Sequence, residues 1–293
     1  MSSTVLTPDS FDHTADGPRR VRVIRAPQLS WRGLMAQLRL LAEYRDLLYT
    51  LTLHRIRVRY KQSLLGISWA LLQPFSLMLI YTVIFSLFAR MPSEGAPYAV
   101  FTYAALLLWT YLSTAVGNAT NGLVSHAQLV TRVWFPREIL PITYVLAALF
   151  DFTLAAVLLG GLMLYFGVQV TVNALLAVPI IVVLTIFITA LALILSATQV
   201  RFRDIGVAVP LLLQLWMFAS PVIYPLSVVP ARFRTIYLLN PMAGFIENFR
   251  RVVLQGQSPD WLLLGFPALI SVALFAAGYI YFKRVEATMA DII

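Results

Sequence analysis

Six long runs of apolar residues, at about 64–88, 98–123, 139–166, 172–198, 205–224 and 261–282, take up most of the sequence. Each is near the roughly 20 residues that an α-helix needs to cross the hydrocarbon core of a bilayer. A helix meets its own backbone hydrogen bonds within one run, as lipid demands. The expected fold class is therefore an all-α integral membrane protein with six transmembrane helices. Composition agrees, with 60% hydrophobic and 12% charged residues and a mean hydropathy of +0.80. A soluble domain carries about a quarter charged residues. No internal repeat of the kind seen in secondary transporters is visible.

The net charge of +9 would suit a nucleic-acid binder, but the basic residues cluster at the ends of the apolar runs. That is a membrane-topology pattern, and no nucleic-acid partner is expected. With the amino terminus inside, the outer segments keep Arg90, Arg232, Arg234, Arg250 and Arg251 and the remaining Lys and Arg lie inside. The bias predicts both termini in the cytosol. The chain has no cysteine and only three histidines, His13, His54 and His126, far apart. No disulfide, metal site or bound cofactor is expected. Residues 1–30 are polar, without the apolar centre of a signal peptide, and read as a disordered cytosolic tail.

Two further segments are neither spans nor simple loops. Residues 31–61 begin with Trp31, Leu34, Met35, Leu38, Leu41, Leu48 and Tyr49 at helical spacing, with Arg32, Gln37, Arg39, Glu43 and Asp46 on other faces. This is an amphipathic helix lying in the inner interface. Its continuation, Ile56-Arg57-Val58-Arg59-Tyr60-Lys61, alternates with period two. Taken alone it would be a strand, but a lone strand would leave backbone unpaired at the membrane surface, which favours helix. Residues 225–260 contain Pro225, Pro230 and Pro241 yet stay apolar. Two short helices are expected, near 230–239 and 241–254, each with proline in its first turn and with Glu247 spaced to support a helix against Arg250 and Arg251. They would form a re-entrant helical hairpin on the outer side, between spans 5 and 6. Domain organisation follows: 1–30 tail, 31–61 interface helix region, 62–293 transmembrane domain.

The inner loop 125–138 carries Leu129, Val133, Trp134 and Phe135 between Arg132 and Arg137 and is broken by Pro136. Aromatic anchors with a charged rim suit a protein contact, while Trp134 would equally suit the headgroup belt. No glycine is followed by lysine, so the phosphate-cradling Gly-Lys-Ser/Thr loop is absent and an ATP-driven role would need a partner.

Six strings carry a resemblance. They are Arg59-Tyr60-Lys61-Gln62 with Leu65-Gly66; Trp69-Ala70-Leu71-Leu72-Gln73-Pro74; Val133-Trp134-Phe135-Pro136-Arg137-Glu138-Ile139-Leu140-Pro141; Val200-Arg201-Phe202-Arg203-Asp204; Ser220-Pro221-Val222-Ile223-Tyr224-Pro225; and Asn240-Pro241-Met242. From about Leu34 onward the chain resembles the membrane (permease) subunit of a type-2 ABC exporter, of the polysaccharide, O-antigen and teichoic acid export branch.

The resemblance implies a homodimer working with two copies of a cytosolic ABC ATPase, which would bind the ATP and Mg²⁺. This chain would then be a transport subunit and not an enzyme, set in the bacterial cytoplasmic (inner) membrane among its lipids. A lipid-pyrophosphate-linked glycan would be the cargo. An ATPase-coupling helix would lie in the loop carrying Ser125, Leu129, Arg132, Val133, Trp134, Phe135, Arg137 and Glu138. An outer gate would involve Pro221, Tyr224, Pro225, Asn240 and Pro241.

Arg55, Arg57, Arg59 and Lys61 stand just before the first span. Guanidinium forks suit a pyrophosphate at a cytosolic substrate entrance, and the same residues would also anchor the chain on anionic lipid. Arg201 and Arg203 would hold topology, with Asp204 capping the fifth span. Asp151 is the only acid near the middle of a run. A charge there costs roughly 2.5–3.5 kcal/mol, so it should face protein or water, as a conduit contact or as an interhelical hydrogen bond. Rings pack on the C–H faces of sugars, so Tyr81, Trp109, Tyr111, Tyr144, Phe150 and Phe152 are conduit candidates; helix packing is their alternative role.

An exporter of a drug or small lipid is the nearest rival reading. A membrane-embedded enzyme is disfavoured, because its acid, base or metal groups would have to converge at one face, and the acids here are scattered.

Overall fold

A computed structural model of the chain describes residues 41–61 and 65–292. The tail 1–30, the first ten residues of the expected interface helix, and residue 64 at the start of the first apolar run lie outside the described residues.

All regular structure among the described residues is helical. Helix α1 (Arg45–Lys61) carries the period-two segment as continuous helix. Helix α2 (Ser68–Tyr81) runs on as a π-helix over Thr82–Phe88. Next come α3 (Tyr98–Thr120), the short α4 (Ala127–Arg132), α5 (Ile139–Tyr165) and α6 (Ala177–Arg201). The chain closes with α7 (Ile205–Phe218), α8 (Ala231–Leu238), α9 (Pro241–Val253) and α10 (Trp261–Ile292).

Among the described residues, five helical segments are long and apolar enough to span a membrane: Ser68–Phe88, Tyr98–Thr120, Ile139–Tyr165, Val172–Arg201 and Trp261–Met289. The fifth apolar run behaves differently. It forms the 14-residue α7, about 21 Å long against a hydrocarbon core of about 30 Å. The chain then turns irregular, with Ser220, Pro221, Val222, Ile223 and Pro225 buried against protein, a setting in which a membrane protein tolerates such backbone.

Helix α3 is the centre of the bundle: 83% of its most apolar window is buried, against 11% for α2 and 28% for α10. Helices α2, α5, α6, α7 and α9 surround it. Lipid supplies no hydrophobic drive between helices, so close backbone approach has to hold them together. Ala99, Ala104, Ala105, Ala115 and Ala119 give α3 that approach. Between α6 and α10, Gly278 has no room for a Cβ, which would lie 2.9 Å from Ile194 and 3.2 Å from the Ala190 carbonyl. The outward faces stay apolar, with Leu87, Val157, Leu164, Val178, Val207, Leu211, Leu262 and Leu269 exposed. Such a surface belongs in lipid, and the protein is a multi-pass membrane protein.

The expected outer hairpin falls at α8 and α9. Pro241 is at the first position of α9, and Asn240 caps it by accepting from the Met242 N–H at 3.1 Å. Pro230 stands one residue earlier than expected, at the N-cap of α8 and not in its first turn. Asp204 also occupies an N-cap, that of α7, but its side chain makes no capping hydrogen bond there.

Candidate functional site

A cleft of about 680 Å³ opens between α2, α3, α5 and α7. Its walls include Trp69, Trp109, Tyr111 and Phe152, interleaved with Gln73, Thr110, Ser113, Asn118 and Gln214. Polar groups are costly against lipid, so on the flank of a bundle this lining suits a wet or partner-covered path. Of the expected conduit residues, Trp109, Tyr111, Phe152 and Asp151 line the cleft. Tyr81 instead packs edge-on against Phe85, Tyr144 lies beneath Arg55, and Phe150 is exposed. Tyr111 also hydrogen-bonds Thr185 at 3.0 Å, and Trp109 meets Trp216 edge-on at 5.8 Å.

Helix α1 closes one mouth of this cleft. Arg59 pairs with the Asp151 carboxylate, and the Tyr60 hydroxyl donates to the other carboxylate oxygen. Asp151 thus lines the cleft and bonds a neighbouring helix at once. One turn earlier Arg55 donates to Thr143 at 2.7 Å and stacks 3.4 Å above the Tyr144 ring. Burial holds the Arg55 guanidinium below its ordinary value, with Tyr144 opposing the effect. Arg57 and Lys61 are exposed. The four basic residues therefore divide into two that clasp α5 and two that face outward.

At the same end, the loop after α3 makes a turn of 3₁₀-helix (Val124–His126), then α4, then an extended stretch. Its residues separate sharply. Val133 and Trp134 are 53% and 46% exposed, whereas Phe135 is 5% exposed. Trp134 meets Tyr44 edge-on, with ring centroids 6.2 Å apart. Ser125 and Arg132 are also exposed and Leu129 is half-buried. Phe135 packs in a second core with Leu123, Val130, Ile139, Phe282 and Met289.

The charged end of the loop turns inward. The fully buried Glu138 lies 2.7 Å from Lys283 of α10, which reaches Glu286 at 2.8 Å. The Arg137 backbone N–H donates to Glu286 Oε1 at 3.1 Å, and its guanidinium donates to the Glu286 carbonyl at 2.6 Å. Two of the expected coupling residues therefore bind the last helix.

At the opposite end, the break after α7 is held by side chains. Asn240 donates to the Ala219 carbonyl at 3.0 Å and to Ser220 at 2.8 Å, and accepts from Trp216 at 3.0 Å. Tyr224 donates to the Phe218 carbonyl at 2.9 Å and accepts from Tyr237 at 3.1 Å. Tyr98 donates to the Ile223 carbonyl at 2.7 Å. Arg250, which the sequence argument left as an outer charge, is 1% exposed and donates to the carbonyls of Pro221 at 2.7 Å and Val222 at 2.9 Å. One signal was available: Arg250 falls four residues after Ile246, on the apolar stripe of α9 that also carries Met242 and Phe249. Glu247 lies three residues before Arg250 within α9, as expected, and the two charges attract, while the guanidinium's hydrogen bonds go to these carbonyls. No group of three or more metal-binding side chains occurs among the described residues.

Comparison with known proteins matches this geometry to a class. The profile of the ABC-2 type transporter family matches residues 46–254. An O-antigen export system permease protein RfbA of Myxococcus xanthus is 34% identical over 249 residues, covering 84% of this chain and 95% of that protein. A protein of the same name from Klebsiella pneumoniae is 25% identical over 249 residues, 85% of this chain and 95% of its own.

Proposed function

Since the chain belongs to the ABC-2 type transporter family, we propose that it is the membrane subunit of an ATP-driven exporter that moves a lipid-linked polysaccharide across the bacterial cytoplasmic membrane. The observation that carries this reading is the near full-length similarity to permeases named for O-antigen export. The cleft agrees with it, because a glycan needs both rings to pack on and polar groups to bond, and both line its walls.

In this reading both termini are cytosolic. The six-span count includes α7 together with the buried irregular segment after it, which completes the crossing. The α8–α9 pair is the re-entrant hairpin on the outer face. Two copies of the chain face each other across their clefts, so that the polar walls meet a partner and not lipid. Two copies of an ABC ATPase hold ATP and Mg²⁺ and dock on the inner surface around Val133 and Trp134, with Tyr44 beside them. Arg57 and Lys61, the outward-facing cations of α1, meet the pyrophosphate of the cargo, and Arg59 stands behind them at the mouth of the cleft. ATP-driven closure of the ATPases moves the 124–138 loop, and the outer hairpin opens.

The test is genetic and biochemical together. Cells lacking the chain should accumulate lipid-linked glycan on the inner face of the membrane, and the tagged chain purified in mild detergent should bring down a stoichiometric ATPase. Normal surface glycan in the deleted strain would refute the cargo. An ATPase-free preparation would refute the transport mechanism. Accumulation of a drug or a small lipid instead of glycan would select the rival exporter.

A further inference from the structure

We propose that α10 is the rod that carries motion from the inner coupling loop to the outer hairpin, with Lys283 and Gly244 as the positioning residues at its two ends. The proposal rests on the transport reading above, in that it supposes an ATPase acting on the inner loop.

Helix α10 has 32 residues, about 48 Å at 1.5 Å per residue, more than the thickness of the hydrocarbon core. Both of its ends are fastened to the segments expected to move. At the inner end, Glu138 and Glu286 bracket Lys283 at 2.7 and 2.8 Å, and Arg137 is tied to Glu286 through its backbone N–H and its guanidinium. These contacts join the last residues of the coupling loop to a helix lying nearly 150 positions further along the chain. A buried ion pair is poor evidence of a stabilising device, because desolvation offsets most of the attraction. It does fix which residues travel together.

At the outer end the fastening is steric. Pro267 has no N–H to donate to the Leu263 carbonyl. Gly244 of α9 packs directly on that spot: a Cβ there would lie 2.5 Å from the Pro267 ring and 2.9 Å from the Leu263 oxygen. Four residues on, Asn248 Oδ1 accepts from the Asp260 N–H at 2.7 Å while its amide donates to the Gly244 carbonyl at 2.9 Å. Helix α9 therefore grips the first turns of α10 through both backbone contact and a buried amide.

The alternative transmitter is α3, which also reaches from the coupling loop to the hairpin end. It is enclosed on nearly all sides, with 83% of its apolar window buried, while α10 has only 28% of its window buried. A helix packed on every face cannot shift without repacking the whole core. Helix α10 packs along one main neighbour, α6, most closely at Gly278, and its other faces are open, so it can tilt about that contact without repacking the core. In this arrangement α3 is the fixed element and α10 the moving one.

The experiment uses the full chain with its ATPase in vesicles, and a Thr235→Cys reporter on the exposed face of α8 labelled by an impermeant maleimide. With the unaltered rod, adding ATP should change the labelling rate on the order of tenfold, the size of an ordinary coupling free energy. Two disconnections are made separately. Glu138→Gln and Lys283→Met, made together with Arg137→Ala and Glu286→Ala to release the second tie, open the whole inner fastening and leave no charge buried alone. Gly244→Ala pushes α9 away from Pro267. Each should leave the ATPase bound while the nucleotide response at the reporter disappears and export falls with it, and Gly244→Ala should leave ATP hydrolysis intact. A full response in either folded variant overturns the proposal. A chain that brings down no ATPase before any disconnection overturns the transport reading itself, a different failure from a reporter that ignores a working rod.

Discussion

Arg250 stacks 3.4 Å above the ring of Phe101 and donates through Nε to the Phe101 carbonyl at 3.1 Å, which ties α9 to the most buried helix of the bundle. With the bonds to Pro221 and Val222, a single guanidinium meets three carbonyls from two segments, two of them where the fifth apolar run abandons helical bonding. A planar fork can serve three acceptors in this way and a rounder ammonium cannot.

Replacing Arg250 by Leu should accordingly cost about 2–4 kcal/mol, since it orphans buried carbonyls as well as removing charge-assisted bonds. Arg250→Lys should recover only part of that. Thermal unfolding in detergent reads both, and an unchanged midpoint for Arg250→Leu would contradict the clamp.

Trp134 and Phe135 are neighbours in sequence with opposite exposure. Phe135→Ala should destabilise the folded chain by about 3 kcal/mol, the usual cost of emptying a buried aromatic site. Trp134→Ala should change stability little and instead release the ATPase from the purified complex. Measuring melting temperature and ATPase recovery on the same two preparations separates the effects; loss of both properties in both variants would contradict the division.

The contact of Arg59 and Tyr60 with Asp151 holds α1 across the mouth of the cleft. Asp151→Asn should loosen it, and paired spin labels on α1 and α5 should then report a broader distance distribution. Arg59→Gln should produce the same broadening, and combining the two should add little, because both act on one contact. Additive broadening would place the two residues in separate interactions.

His126 lies in the turn between α3 and α4, 3.0 Å from the Gly122 carbonyl and edge-on to Tyr144. Burial, reinforced by the nearby Arg55 and His54 charges, holds its imidazole below the ordinary 6.5, against a smaller upward pull from the Gly122 bond. A lowered folded-state value means that the unfolded chain takes the proton first. This contribution to stability is therefore full above about pH 6.5 and is lost as the pH falls through that value toward the folded one. Limited proteolysis of the loop should quicken between pH 7.5 and 5.5, and His126→Asn should flatten that dependence. Equal acid sensitivity in the variant would assign it to another group.

The amino-acid sequence by itself determined what depends on short stretches of chain. Long apolar runs have to be helices in lipid, whatever surrounds them, and so the spans were legible. So was the start of α9, because Asn240 and Pro241 make a local signal that holds in any surroundings. The strings marking the transporter family were equally readable, as they need only order and spacing.

Tertiary structure alone decided which charges meet. Arg59 with Asp151, Glu138 with Lys283, and Arg250 with Phe101 are each separated by roughly 90 to 150 positions. Their pairing is set by which helices pack side by side, a property that helical periodicity does not carry. Packing also split the 133–138 loop into an exposed part and a buried one, since two adjacent aromatics of equal hydrophobicity differ only in which neighbour reaches them. The short α7 has the same origin: its run is apolar enough to continue as helix, but Arg250, Asn240 and Tyr98 supply the bonds that let the backbone leave the helix at Ala219.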